Sequence, residues 1–187
     1  MKKIVIFASG SGKNAQNIVL HFKKSSFVYQ FYIFSNNANA KVLERAKYLS
    51  VPTTIISKED IQSGAILNNL KEIQPDLIVL AGFLLKFPNN CIQEYQNKII
   101  NIHPSLLPKY GGKGMYGMHV HRAVVENKET QTGITIHYVN ENYDEGNIIF
   151  QKIVNLTGTE SPDEVAEKIY ELEQTHFPLI IEKIINQ

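Results

Sequence analysis

Residues 3–14 read KIVIFASGSGKN, and the rest of the chain repeats the pattern that begins here. The run from 3 to 9 is short, apolar and rich in β-branched residues, and Gly10 and Gly12 bound it. These features predict a buried strand rather than a helix. Asn14 then opens an amphipathic stretch, which predicts a helix. The chain thus begins with a predicted strand, a glycine-rich turn and a helix.

The alternation of short apolar runs and amphipathic stretches continues along the chain. The further strands are predicted at residues 27–35, 52–56, 77–81 and 98–103. The helices between them are predicted at residues 40–49, 66–73 and 88–95. Strands and helices that alternate over short links indicate an open, mainly parallel sheet with helices on both faces. Ligands bind such sheets outside the carboxyl ends of the strands.

The second half of the chain changes this pattern. After a predicted helix at residues 118–126, two longer strands are predicted at 133–139 and 147–154, joined as a hairpin-like excursion at the sheet edge. A final helix is predicted to begin after Ser161, with a proline at its first position and a capping box. Together these elements predict a three-layer, Rossmann-like α/β fold, mainly parallel with an antiparallel strand near one edge, in a single domain over residues 1–187.

The composition limits the classes of function. A chain of 187 residues can bury roughly 70% of its unfolded surface, so a substantial core is expected. A formal charge of +1, from 19 basic and 18 acidic residues, gives no field that would attract nucleic acid or an anionic membrane. The single cysteine, Cys91, allows no internal disulfide, and no apolar run approaches the length of about 20 residues that spans a bilayer. We therefore expect a cytoplasmic protein with no nucleic-acid or membrane partner.

The glycine-rich turn at residues 9–14 is the first candidate binding site. The free N–H groups and the dipole of a helix N-terminus attract a phosphate, and glycines let the backbone turn tightly there. The turn matches neither G-x-G-x-x-G nor the P-loop pattern, so it predicts a monophosphate rather than a dinucleotide or a triphosphate. A glycine-rich turn that binds no ligand is the alternative.

Asn101 and His103 lie two residues apart at the end of the fifth predicted strand. Side chains alternate along a strand, so both point to the same side at the edge where ligands bind. An imidazole can hold or release a proton near neutral pH, and an amide N–H can stabilise a developing oxyanion. Pro104 and Pro108 are expected to rigidify the pair. The alternative is a hydrogen-bonded structural histidine.

A polar segment at residues 140–146, NENYDEG, separates the two late strands. Taken alone it is a polar turn. If the carboxylate of Asp144 lay beside His103, it would favour the imidazolium and raise the pKa of that histidine. His137, in the strand before this segment, is predicted to be an ordinary core or surface residue.

Four segments of the chain resemble the phosphoribosylglycinamide formyltransferases, the folate-dependent enzymes of purine synthesis. They are SGSGKNAQNI from residue 9, PDLIVLAGFL from 75, INIHPSLLPKYGGKGMYG from 100 and GITIHYVNENYDEGNII from 133. The resemblance extends from Lys3 to Ile184, and the two middle segments at this spacing are its most specific part. It implies a Rossmann-like formyltransferase fold.

The resemblance also implies a role for each candidate residue. The residues that match the catalytic amide, imidazole and carboxylate of the family are Asn101, His103 and Asp144. The residues that match its substrate site are Gly12, Lys13 and Asn14 for the phosphate and Glu173 for the glycinamide end. The residues that match its folate pocket are Leu84, Leu85, Lys86 and Phe87, together with Asn101.

Three features depart from the family pattern. Leu85 stands where an arginine is frequent, so the folate contact of that side chain must be replaced or absent. Lys58 is a weak candidate for the arginine that often meets the folate tail. The loop at residues 111–118, GGKGMYGM, lengthens the chain after the catalytic strand, and the sequence assigns it no role.

The implied reaction moves the formyl group of 10-formyltetrahydrofolate onto the amine of N1-(5-phospho-D-ribosyl)glycinamide in de novo purine biosynthesis. Asn101 and a protonated His103 would stabilise the oxyanion, and Asp144 would keep the histidine charged. The expected partners are these two small molecules, with no metal. The protein is expected to be a monomer or a homodimer.

Three alternatives stay open at this point. A 10-formyltetrahydrofolate hydrolase shares the folate chemistry but usually has an additional N-terminal domain, and this chain begins at its first strand. A methionyl-tRNA formyltransferase normally has an additional C-terminal domain, and this chain ends at Gln187 with a charge near zero. A catalytically silent nucleotide-binding module would not need Asn101, His103 and Asp144 together.

Overall fold

A seven-stranded sheet forms the centre of the computed structural model, which describes residues 1–187. The strands are β1 (Lys2–Phe7), β2 (Tyr29–Ser35), β3 (Thr53–Ile55), β4 (Leu77–Leu80), β5 (Ile99–His103), β6 (Gln131–Tyr138) and β7 (Ile148–Asn155). The helices are α1 (Lys13–Phe22), α2 (Lys41–Leu49), α3 (Lys58–Ser63), α4 (Ala65–Ile73), α5 (Asn89–Glu94), α6 (Met118–Glu126) and α7 (Pro162–Ile185). The strands lie in the order β3-β2-β1-β4-β5-β6-β7.

The direction of the strands confirms the predicted fold class. β1 to β5 pair in parallel, whereas β6 is antiparallel to both of its neighbours, β5 and β7. β6 is therefore the one strand that runs against the others, next to the edge strand β7. All seven predicted strands are present. β2 begins at Tyr29, two residues later than predicted, and the apolar residues Phe27 and Val28 before it are exposed.

Two apolar layers cover the sheet. Alternate residues of the central strands face opposite layers, as Ile4 and Val5 of β1 do. One layer contains α1, α2, α6 and α7, and the other contains α4 and α5. β4 is buried along its whole length, because helices cover both of its faces, and it is accordingly apolar throughout. This packed centre holds the loops at the carboxyl ends of the strands in place.

Two helices begin with the same capping arrangement. At α7, as predicted, Ser161 Oγ accepts the N–H of Glu164 at 3.3 Å, and the Glu164 carboxylate accepts the N–H of Ser161 at 2.7 Å. Ser57 and Asp60 make the same exchange at α3, which the sequence analysis missed. α3 buries no residue, so it lacks the apolar period by which helices are recognised. No helix is long and apolar enough to cross a membrane.

The connection between β6 and β7 turns back along the sheet. Tyr138, at the end of β6, lies opposite Ile100 near the start of β5. Asp144 in the connection nevertheless reaches His103 at the other end of β5. Gly146 permits this return, because a Cβ there would lie 1.7 Å from the Tyr138 carbonyl oxygen. The predicted hairpin at the sheet edge is confirmed, since β6 and β7 pair antiparallel and β7 is the edge strand. The connection between them folds back over the sheet, which the sequence did not indicate.

The order of the strands reverses between β1 and β4. The loops that follow these two strands meet, since the N–H of Ser9 donates to the carbonyl of Gly82 at 3.0 Å. An open α/β sheet binds its ligands at such a reversal point, outside the carboxyl ends of the strands. The fold therefore indicates one edge of the sheet as the place for a site.

Candidate active site

A cavity of about 710 Å³ lies at the carboxyl ends of β1, β4 and β5. Every candidate residue from the sequence except Lys58 lines it. These residues are Gly12, Lys13, Asn14, Leu84, Leu85, Lys86, Phe87, Asn101, His103, Asp144 and Glu173. The volume is within the range of small-molecule sites. The fold thus brings together segments that are far apart in the sequence.

His103 is the last residue of β5 and is buried. Its Nε2 lies 2.7 Å from the carbonyl oxygen of Tyr110. Because a carbonyl can only accept, Nε2 carries a proton and donates it. The other ring nitrogen, Nδ1, lies 3.5 Å from Oδ2 of Asp144. A proton on Nδ1 would therefore face a carboxylate.

Asp144 lies in the connection that folds back over the sheet, with a left-handed φ of 57°. Its Oδ2 accepts the backbone N–H of Gly112 at 2.9 Å, and its Oδ1 lies 3.5 Å from Nε2 of His137. Burial alone would raise the pKa of Asp144, but His137, His103 and the Gly112 N–H together hold it below its ordinary value. The carboxylate is therefore ionised at neutral pH.

Burial lowers the pKa of His103 below the ordinary value of a histidine. Asp144 and the Tyr110 carbonyl act in the opposite direction but less strongly. Asp144 thus raises the pKa of His103, as expected from the sequence, but the cost of burying the charged ring exceeds the attraction of the carboxylate. The lowered pKa favours the neutral ring, whose Nδ1 can accept a proton.

His137 belongs to the site, although the sequence analysis treated it as an ordinary residue. It lies opposite Asn101 in the β5–β6 ladder, and its Nε2 is 3.2 Å from the amide nitrogen of Asn101. Its Nδ1 lies 2.8 Å from the Tyr138 carbonyl oxygen, so Nδ1 donates and Nε2 accepts in the neutral ring. A signal was present in the sequence, since Thr135 and His137 are polar residues at period two in an apolar strand.

The amide nitrogen of Asn101 faces acceptors within the protein. It lies 3.2 Å from Nε2 of His137 and 3.5 Å from Oδ1 of Asp144. The role expected from the sequence is donation to an oxyanion. For Asn101 to take that role, a ligand must replace one of these two contacts, and the longer one, to Asp144, is the weaker.

His121 is a third buried imidazole at the cavity. Its Nδ1 has no hydrogen-bond partner. Burial, with a smaller contribution from His103, lowers the pKa of His121. No group of three or more His, Cys, Asp or Glu side chains in the structure is placed to hold a metal ion.

The glycine-rich turn presents an open helix N-terminus to the cavity. Gly12 has a φ of 70°, and a Cβ there would lie 2.5 Å from the Cβ of Val42, so only glycine fits. No side chain caps α1, and its first turn has no acidic residue, which leaves N–H groups available to an anion. The Nζ of Lys13 adds a positive charge here and lies 4.6 Å from the centre of the Tyr170 ring.

α7 contacts the same turn through Asn14. The amide of Asn14 donates to Glu173 at 2.7 Å, and the amide of Gln174 donates to Asn14 Oδ1 at 2.6 Å. Burial raises the pKa of Glu173, and the Asn14 amide partly opposes this effect. A carboxyl group therefore lies next to the open N-terminus of α1, where it can accept from an amine or a hydroxyl group.

The segment from Leu84 to Phe87 lines the cavity in two ways. Leu84 is exposed and can contact a ligand directly. Phe87 is buried, and its ring packs edge-to-face against Phe7 with centres 4.9 Å apart, so it supports the wall from behind. Lys58, the weak candidate for the folate tail, begins α3 and does not line the cavity.

Fold and cavity together define a Rossmann-like three-layer α/β protein with an imidazole and a carboxylate at a ligand-sized site on the carboxyl edge of the sheet. Comparison with protein families gives a match to the formyl transferase family over residues 2–181. The chain therefore belongs to the formyl transferase family.

Several relatives of this chain are named phosphoribosylglycinamide formyltransferase. Phosphoribosylglycinamide formyltransferase of Bacillus subtilis (strain 168) is 33% identical over 191 residues, covering 99% of this chain and 95% of that protein. The chloroplastic enzyme of the same name from Vigna unguiculata is 32% identical over 192 residues, covering 100% of this chain and 62% of that protein. The chain spans about three fifths of the length of such plant relatives. The crystal structure of glycinamide ribonucleotide transformylase 1 from Geobacillus kaustophilus is 33% identical, with a TM-score of 0.89 over 99% of both chains.

Proposed function

We propose that this chain transfers the formyl group of 10-formyltetrahydrofolate to the amine of N1-(5-phospho-D-ribosyl)glycinamide, a step of de novo purine biosynthesis. One observation carries the proposal: Asn101, His103 and Asp144 meet in the same cavity as the open N-terminus of α1. A proton-transfer group thus lies in one cavity with a site for a phosphate. The relatives of similar length, which are named for this reaction, support the choice of substrates.

The acceptor is proposed to bind through its phosphate at Gly12, Lys13 and Asn14. The uncapped N-terminus of α1 supplies N–H groups and the positive end of a dipole, and Lys13 supplies a full charge. Glu173, which is hydrogen-bonded to Asn14, would accept from the glycinamide part of the acceptor. The folate would occupy the part of the cavity lined by residues 84–87.

The proposed reaction forms one bond to the formyl carbon and breaks another. The amine nitrogen of the acceptor attacks this carbon, and the carbonyl oxygen becomes an oxyanion. The oxyanion then collapses, and the bond between the carbon and N10 of the folate breaks. The amine loses one proton and N10 gains one, so the products are the formylated glycinamide and tetrahydrofolate.

His103 is proposed to carry that proton. Its Nδ1 can take the proton from the amine, directly or through a water, and the imidazolium then lies between the Asp144 carboxylate and the Tyr110 carbonyl. Both groups favour the charged ring and partly oppose the effect of burial. Asn101 would turn one amide hydrogen from His137 or Asp144 toward the oxyanion.

Formyl transfer by the purified protein tests this proposal. The absorbance of the folate should change when formyl donor and acceptor are both present. His103→Ala should lower kcat by about 10²- to 10⁴-fold and Asn101→Ala by about 10²- to 10³-fold, with little change in KM, because both groups act on the transition state. Lys98→Ala, at an exposed position outside the cavity, is the control. Unchanged turnover by His103→Ala would refute this assignment of the site.

The same assay separates the alternative reactions. Formate released without the acceptor would identify a hydrolase, and formylation of methionyl-tRNA would identify the tRNA enzyme. The absence of any turnover would favour a catalytically silent module.

We propose three further properties of the chain. They are a cytoplasmic location, a single domain over residues 1–187 and a monomeric or homodimeric state. Fractionation of cells, limited proteolysis and sedimentation would measure them.

A further inference from the structure

We infer that Glu129 and the hydroxyl of Tyr110, which do not line the cavity, position His103 for proton transfer. Tyr110 accepts from His103 through its backbone carbonyl at 2.7 Å and donates from its hydroxyl to Glu129 at 2.9 Å. One residue thus connects a partly exposed carboxylate to the buried imidazole. Both groups lie outside the lining of the cavity, so their contribution acts through His103.

The backbone of Tyr110 has a conformation that must be held by contacts of its side chain. Its φ of 56° is left-handed, a region that bulky residues rarely adopt, because their Cβ crowds the backbone there. A residue stays in this conformation only where surrounding contacts hold it. The Tyr110 ring packs against the apolar core, and its hydroxyl ends at Glu129. The side chain therefore holds the carbonyl that His103 contacts.

The loop after Tyr110 holds the partner of His103 as well. Gly112 donates its N–H to Asp144 Oδ2 at 2.9 Å. Gly111, between Tyr110 and Gly112, is so tightly packed that a Cβ there would come within 2.6 Å of a leucine side chain. A shift of Tyr110 would therefore reach both the imidazole and the carboxylate.

Glu129 acts through its hydrogen bond with the Tyr110 hydroxyl rather than as a charge near the imidazole. The titratable groups that face His103 are Asp144 of the β6–β7 connection, His137 of β6 and His121 of α6. The Glu129 carboxylate instead accepts from the Tyr110 hydroxyl and from the exposed Lys109, each at 2.9 Å. Lys109 therefore offers a matched control, because its removal leaves the hydroxyl contact in place.

The kinetics of four variants test the inference. This test rests on the proposed function, because it measures formyl transfer. Tyr110→Phe and Glu129→Ala should lower kcat about ten-fold with KM unchanged, because the ring of His103 is misplaced while no ligand contact is lost. Glu129→Gln keeps an acceptor oxygen for the hydroxyl and should retain the wild-type kcat. Lys109→Met should also retain it.

An NMR titration of His103 needs no turnover and tests the inference independently of the proposed function. The Tyr110 carbonyl favours the charged ring, so loosening it should lower the pKa of His103 further in Tyr110→Phe and in Glu129→Ala. Glu129→Gln and Lys109→Met should leave that pKa as in the wild type. A through-space effect of the Glu129 charge would give a different pattern, since Glu129→Gln removes the charge and Tyr110→Phe keeps it.

Circular dichroism first shows that the variants are folded, so that a change in the pKa of His103 reports on its contacts. A wild-type pKa of His103 in Tyr110→Phe, or a lowered pKa in Glu129→Gln, would overturn the inference. A wild-type protein without formyl transfer would overturn the proposed function, and the titration would still decide whether Glu129 and Tyr110 hold His103.

Discussion

Gly12 combines a left-handed backbone with a contact that leaves no room for a side chain. Gly12→Ala should therefore lower the free energy of unfolding by about 2 kcal/mol or more, because the conformation is strained and the new methyl meets Val42. Gly10→Ala is the matched control, since a Cβ at Gly10 meets nothing within 4 Å. Urea unfolding measures both variants, and equal stabilities would contradict this account of the turn.

His121 should make the stability of the protein depend on pH. Burial lowers its pKa in the folded state, so its contribution is complete above the unfolded pKa of about 6.5 and is lost as the pH falls. The Tm of the wild type should therefore fall between pH 7.5 and pH 5.5, and in His121→Leu it should fall less. His119→Leu, at an exposed neighbouring position, should behave as the wild type. An equal fall in His121→Leu would exclude this imidazole as a source of the pH dependence.

The candidate residues that meet in the cavity could be predicted from the sequence, but the net direction in which the pKa of His103 shifts could not. Spacing and resemblance were enough to propose Asn101, His103 and Asp144. The lowered pKa of His103 follows from a balance between burial and the Asp144 carboxylate, and burial is a property of the folded chain. His137 was missed for a similar reason, because only the pairing of β5 with β6 puts it against Asn101.

Among the helices, α3 and α7 share a capping box but differ in what they bury. Ser161→Ala removes the cap of α7, which contributes to the core, and should cost about 1 kcal/mol, or about 2–4 °C in Tm. Ser57→Ala removes the same cap from α3, which buries nothing, and should only increase local fraying. Thermal unfolding combined with hydrogen exchange distinguishes the two. A global loss of stability in Ser57→Ala would show that α3 is coupled to the core.

Most elements that the sequence predicted have an apolar face, although the short edge strand β3 buries no residue. β4 is apolar throughout, and α1 buries Ala15, Ile18, Val19 and Phe22 on one side, so each carries a readable period. α3 has no such face, and its only signal is the pair formed by Ser57 and Asp60, three residues apart. Local hydrogen bonding, rather than burial, accounts for that helix.

At the scale of the whole molecule, binding at the cavity should stabilise the fold, because the cavity is built from most of the central strands and from α7. A ligand present at 100 times its Kd adds about 2.7 kcal/mol, which corresponds to a rise in Tm of about 5–10 °C. Glycinamide ribonucleotide and a folate analogue should each produce such a rise. Lys13→Met should reduce the rise with the ribonucleotide and not with the folate. An equal reduction for both ligands would argue against a phosphate site at Lys13.

The class of the fold was predictable because strands and helices alternate in the sequence. The meeting of distant segments was predictable only in part. Resemblance indicated that Asp144 joins His103, but not that the β6–β7 connection turns back along the sheet to bring it there. That path depends on strand register and on the packing of one glycine, which no local pattern reveals.

Gly146 therefore determines the position of Asp144 although it has no functional group of its own. Any side chain at this position would displace the backbone of Tyr138 or release the folded-back connection, and the carboxylate would withdraw from its imidazole. Such a variant would resemble a protein that lacks Asp144, although every residue proposed for the site would still be present. Surveys of natural variation in this chain should therefore treat this methylene as part of what holds the candidate site together.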